Sequence, residues 1–108
     1  GSFVLKGIQI DQLLPQEACE HFSAYMIRMK QNQTKKNSYH KEGEELYYIL
    51  SGTGTAVLGG KDYKLTEGCF FRVPPGTVHQ FTTYSESLCM LNFHSPPVFN
   101  DKDTYFIE

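Results

Sequence analysis

Punctuation constrains this chain more than any single residue does. Apolar or alternating runs are short throughout, and Gly, Pro, Asn or Ser interrupts them every 6 to 12 residues. No stretch holds a helical apolar period long enough to bury one face of a helix. Breaks this frequent leave room for strands and tight turns, and many short strands without helices build a sandwich or a barrel. The spacing predicts strands over residues 3–10, 23–30, 45–50, 55–58, 62–65, 69–73, 78–83 and 87–94, with a final edge strand over 104–107. Residues 13–20 have room for one helical turn, the polar stretch 31–37 reads as a loop, and 38–41 as a short extended piece. Gly59-Gly60 suits a two-residue hairpin, because both positions can take positive φ without a steric penalty. Pro96-Pro97 ends the last long strand, since proline has no donor for the ladder.

The 108 residues are enough for one domain, and with no repeat, linker or low-complexity tract the domain is drawn over 3–108. Gly1 and Ser2 read as a cloning scar. Ten Lys and Arg against twelve Asp and Glu leave a net charge of -2, which offers no long-range pull on nucleic acid or an anionic membrane. No apolar run is long enough to span a bilayer and no leader pattern opens the chain, so a soluble cytoplasmic protein is expected. The three cysteines, Cys19, Cys69 and Cys89, are odd in number and widely spaced, which supports neither a disulfide framework nor a zinc ribbon.

Two segments carry the chemistry. The first runs Ser38-Tyr39-His40 to Glu45 and on to Gly52. The second runs from Gly68 through Pro74-Pro75-Gly76 to His79. Together, across roughly residues 37 to 83, they resemble the two motifs of the cupin superfamily, His-x-His…Glu…Gly and Gly…Pro-x-Gly…His…Asn. The resemblance implies a jelly-roll barrel (a double-stranded β-helix) with one divalent metal ion, Fe, Zn, Mn or Ni. It puts the ligands on His40, Glu45 and His79. Two positions depart from the pattern: Ser38 stands where the first histidine would be, and Thr83 where the closing asparagine would be. The loss at Ser38 removes one of the usual four ligands.

Strand geometry supports the cluster independently. Side chains alternate across a strand, so Ser38 shares a face with His40, Glu45 with Tyr47 and Ile49, and His79 with Phe81 and Thr83. If the faces of Glu45 and His79 both point inward, two imidazoles and a carboxylate converge, a set suited to Fe(II) and also to Zn(II), Ni(II) or Mn(II). A lone carboxylate in an apolar barrel costs several kcal/mol unless a metal or a cation answers it. The other answers are a histidinium partner for Glu45, or a bound sugar hydroxyl. Tyr47 is either a pocket residue offering its hydroxyl to substrate, the candidate catalytic group, or a satisfied core tyrosine. Ile49, Phe71, Val73 and Phe81 are expected to line an apolar pocket, with Ser38, Tyr47 and Thr83 as its polar contacts. His94 is ambiguous, because both faces of residues 87–94 are partly apolar.

The function expected is a small metal-dependent enzyme of dioxygenase, isomerase or lyase type, acting on a small oxygenated organic molecule. The alternative is a non-catalytic module that binds a small ligand or sugar in the same barrel. A homodimer is expected as well. Leu46, Tyr48 and Leu50, on the outward side of their strand, are as apolar as the inward side. Such a face needs cover.

Overall fold

The structure is a computed structural model and describes residues 2–5, 7–97 and 104–106. Eleven strands and one 3-10 turn appear among them: β1 Ser2–Leu5, β2 Ile8–Gln12, the turn Gln16–Ala18, β3 Ser23–Met29, β4 Thr34–His40, β5 Glu44–Gly52, β6 Gly54–Leu58, β7 Lys61–Leu65, β8 Phe70–Val73, β9 His79–Thr82, β10 Leu88–Ser95 and β11 Thr104–Phe106. They form two antiparallel sheets, β1-β2-β3-β10-β5-β8 and β11-β4-β9-β6-β7. This is the two-sheet jelly roll, all-β as the punctuation requires. The Gly59-Gly60 hairpin joins β6 to β7 with φ of 55° and 82°, the doubly left-handed turn expected there.

Two expectations are corrected. Residues 3–10 are not one strand. The chain reverses between Leu5 and Ile8, with Gly7 at φ 83°, and β1 folds back on β2 with Phe3 opposite Ile10. The polar stretch 31–37 is not a loop beyond Gln33, because β4 begins at Thr34 and pairs with both β9 and β11. Its polar composition reflects one wetted face, and a register shift between Lys35 and Ser38 breaks the alternation that would have revealed it.

The register stacks the inward side chains of the larger sheet in rows. Ser23, His94, Glu45 and Val73 form one row, and Tyr25, Asn92, Tyr47 and Phe71 the next. Ile27, Met90 and Ile49 follow. Opposite them lie Ser38 beside His79, and Phe81 beside Ala56. The barrel is therefore polar at one end and apolar at the other. Its apolar core includes Ile8, Met29, Ile49, Leu65, Leu88 and Met90, each under one-twentieth exposed. Among the described residues no helix is long and apolar enough to cross a membrane.

Candidate metal centre

The polar end is assembled from strand ends. β4 finishes at His40, and a turn over Lys41–Gly43 returns the chain so that Glu45 enters near the start of β5. The Pro74-Pro75-Gly76 turn delivers His79 as the first residue of β9, and the Gly76 amide donates to the His40 carbonyl at 2.6 Å, tying the second motif to the first. His94 lies near the end of β10, directly across from Glu45. All four side chains are buried, none more than 7% exposed.

Glu45 is the hub. Its Oε1 lies 2.7 Å from Nε2 of His40 and 4.0 Å from Nε2 of His94. Its Oε2 lies 3.6 Å from Nε2 of His79 and accepts a hydrogen bond from the Tyr47 hydroxyl. The potential ligand atoms of His40, Glu45 and His94 fall within 4.8 Å of one another. The rings of His40 and His94 meet edge to face at 4.4 Å, and those of His40 and His79 are 5.5 Å apart.

The electrostatics favour an ionised Glu45. Burial works to raise the Glu45 pKa, but the His40 hydrogen bond, the His79 and His40 charges and the Tyr47 hydroxyl outweigh it and hold it at about 2. Burial first, then the Glu45 charge, push the Tyr47 hydroxyl well above its ordinary value, so it stays a proton donor. Burial lowers His79, against the pull of Glu45. With Nδ1 of His79 on the Thr77 carbonyl at 3.2 Å, the neutral ring carries its lone pair on Nε2. That atom is buried and takes no hydrogen bond from the described residues. Nδ1 of His94 is likewise held by the Pro96 carbonyl at 2.7 Å, which directs its Nε2 lone pair inward. Oriented imidazole nitrogens beside a carboxylate, one of them a buried lone pair with no donor, are a donor set that fits a divalent cation.

His40 and His79 both approach the Glu45 carboxylate, at 2.7 and 3.6 Å, but the group whose ligand atoms all lie within 4.8 Å of one another has His94 in the place expected for His79. Ser38 is buried beside His79 in the register. Tyr47 reaches Glu45 directly, with Phe71 stacked on it at 5.2 Å and Phe81 at 5.0 Å. Val73 is the cross-strand neighbour of Glu45. Two expected lining residues sit elsewhere. Ile49 lies four residues beyond Glu45, about 13 Å along the strand, in the apolar half. Thr83 is buried, but its hydroxyl donates to the Lys30 carbonyl and accepts from the Gln33 amide at 2.9 Å, so it fastens a loop. The residue that parity left open, His94, joins the cluster. Gly43 makes room for it, because a Cβ there would lie 2.1 Å from Cε1 of His94.

Residues 25–94 match the cupin domain family. The chain belongs to the cupin family. This cupin is 30% identical over 88 residues to an uncharacterised protein of Aquifex aeolicus, covering 82% of this chain and 70% of that one. It is 34% identical over 61 residues to the (S)-ureidoglycine aminohydrolase of Escherichia coli, covering 56% of this chain but spanning only 23% of that enzyme. A point variant of the nucleoside dehydratase Pac13 of Streptomyces, solved with uridine, superposes with a TM-score of 0.84 at 18% identity, covering 100% of this cupin and 84% of that chain. At that identity the likeness is one of fold.

Proposed function

We propose that this cupin holds one divalent metal through His40, Glu45, His79 and His94, and that it is an enzyme of dioxygenase, isomerase or lyase type for a small oxygenated organic molecule. The observation that carries this reading is the set of imidazole nitrogens around one buried carboxylate, with Nε2 of His79 lacking a hydrogen bond. His94, arriving from β10, supplies the imidazole that the motif lacks at Ser38. A divalent ion held there would supply Lewis acidity toward a carbonyl, carboxylate or hydroxyl oxygen. Glu45, at about 2, is suited to be an anionic ligand and is too weak a base to draw a proton at neutral pH. Tyr47 keeps its proton beside that carboxylate and orients it. Phe71 and Phe81 pack against Tyr47 and exclude water from that side. Pac13, a nucleoside dehydratase, shares this fold, so elimination is one of the chemistries such a barrel can house.

Metal analysis of protein purified without added metal, followed by a turnover screen with and without chelator, tests the reading. One equivalent of metal, lost in His79→Ala, with chelator-sensitive turnover is expected. Metal without turnover would leave the non-catalytic binding module, and an absence of metal under Zn, Mn, Ni and Fe(II) supplementation would overturn the reading.

We also propose a homodimer through the outer face of the larger sheet. Leu46 and Tyr48 are more than a third exposed there, Phe70 is 63% exposed, and Leu50 is half-buried. A groove of about 460 Å³ runs beside Leu46, Phe22, Phe70 and Phe93. Among the described residues neither terminus covers this face, since β1 extends one sheet edge and β11 the other sheet. Sedimentation should show a dimer that Leu46→Glu weakens, and a monomer at micromolar concentration would contradict it.

A further inference from the structure

The candidate metal centre leaves one buried polar group over. Asn92 is 5% exposed, and among the described residues its amide nitrogen has no hydrogen-bond partner. A donor buried without an acceptor destabilises the fold, and a leucine would fill the same place without that cost. Register fixes where the amide lies. Asn92 faces Tyr25 on β3 and Tyr47 on β5. It is two residues from His94 on the same face of β10, hence about 7 Å along the strand from the cluster. On the other side comes the wholly apolar row of Ile27, Met90 and Ile49. The Tyr47 hydroxyl in the Asn92 row is already engaged by Glu45.

We infer that Asn92 is a ligand-recognition residue, whose amide N–H donates to an oxygen of the small molecule bound beside Glu45 and His94. The inference rests on the reading of the polar end as a ligand site and names what that ligand must carry. A donor without an acceptor calls for a carboxylate, carbonyl or hydroxyl oxygen. One row of separation sets that oxygen about 5–7 Å from the group held at the cluster. The aromatic faces of Tyr47, Phe71 and Phe81 suit a hydrocarbon middle. The class that meets all three conditions is a short dicarboxylate, or an oxo- or hydroxy-acid of similar length.

Zinc-loaded protein, labelled with [15N]asparagine, is titrated with acetate and with succinate by calorimetry and by side-chain amide resonances. Succinate should bind and shift the Asn92 amide. Asn92→Leu should weaken succinate about tenfold or more, leave acetate and zinc affinity unchanged, and raise the Tm of the ligand-free protein by about 4 °C. Asn92→Asp, which sets a carboxylate against the ligand's own, should weaken succinate as well. An amide that is structural, satisfied by a buried water, would instead lower Tm on replacement by leucine and leave succinate affinity unchanged. Either result overturns the inference, as does a zinc-loaded protein that binds no succinate. Failure to bind zinc would sink the metal reading alone, and the same titration on metal-free protein would then decide the role of Asn92.

Discussion

The two ends of the barrel use the same strands to opposite ends. On β5 and β10, Ile49 and Met90 meet in the apolar half, while Glu45 and His94 meet in the polar half. All four side chains are buried to nearly the same degree. Backbone, parity and burial are shared, so the difference lies wholly in what each row loses when it leaves water. The apolar row gains by it. The polar row bears a desolvation cost offset by the contacts of Glu45 with His40, His79 and Tyr47 and by the hydrogen bonds of His79 and His94 to backbone carbonyls. Within this one barrel, one half holds the fold together and the other holds a site that tolerates a buried lone pair on His79 and a buried amide on Asn92.

If that division holds, the largest change comes from the apolar half. Met90→Ala should cost about 2–5 kcal/mol of stability by opening a cavity. Metal affinity of the folded protein should be unchanged. Denaturant melts and metal titration on the same sample check both parts. Glu45→Gln should do the reverse to affinity, weakening metal by more than the ~10–100-fold typical of residues that only support a ligand. It should also flatten the acid limb of the stability profile. Glu45 is held at about 2 against an ordinary 4.5, so its ionised form stabilises the metal-free fold above pH 4.5 and that contribution is lost as pH falls toward 2. Metal-free melts across that window should slope less in the variant than in the parent.

Legibility divided along similar lines. That His40 and His79 approach Glu45 is legible because motif spacing and strand parity agree, and the alternation of Glu45, Tyr47 and Ile49 is borne out in their burial. His94 was not, because its strand is apolar on both faces: Cys89, Leu91 and Phe93 are half-buried on the outer side. A register shift between Cys89 and Met90 adds to the ambiguity. Only the pairing of His94 with Glu45 resolves it, and pairing is not local in sequence. The inward position of Asn92 likewise follows only from its pairing with Tyr25 and Tyr47. The β1–β2 hairpin was hidden because Gly7 was its one clear turn residue.

Two smaller effects sharpen the contribution of His94. Gly43→Ala should displace its ring and weaken metal binding about 10–100-fold, the range for a lost supporting contact. Melting temperature should move far less than in Met90→Ala. Ser38→His alone should change metal affinity by less than about tenfold, since His94 already provides an imidazole. In a His94→Ala background the same substitution should restore binding, a non-additivity read from a double-mutant cycle. Additive effects would mean that the two positions do not serve one ion.

Anomalous diffraction from zinc-loaded crystals tests the central claim most directly. The account predicts one ion per chain inside the barrel, with the Nε2 atoms of His40, His79 and His94 and the Glu45 carboxylate at about 2.0–2.2 Å. An empty barrel, with zinc only on surface carboxylates or on Cys69, would contradict it.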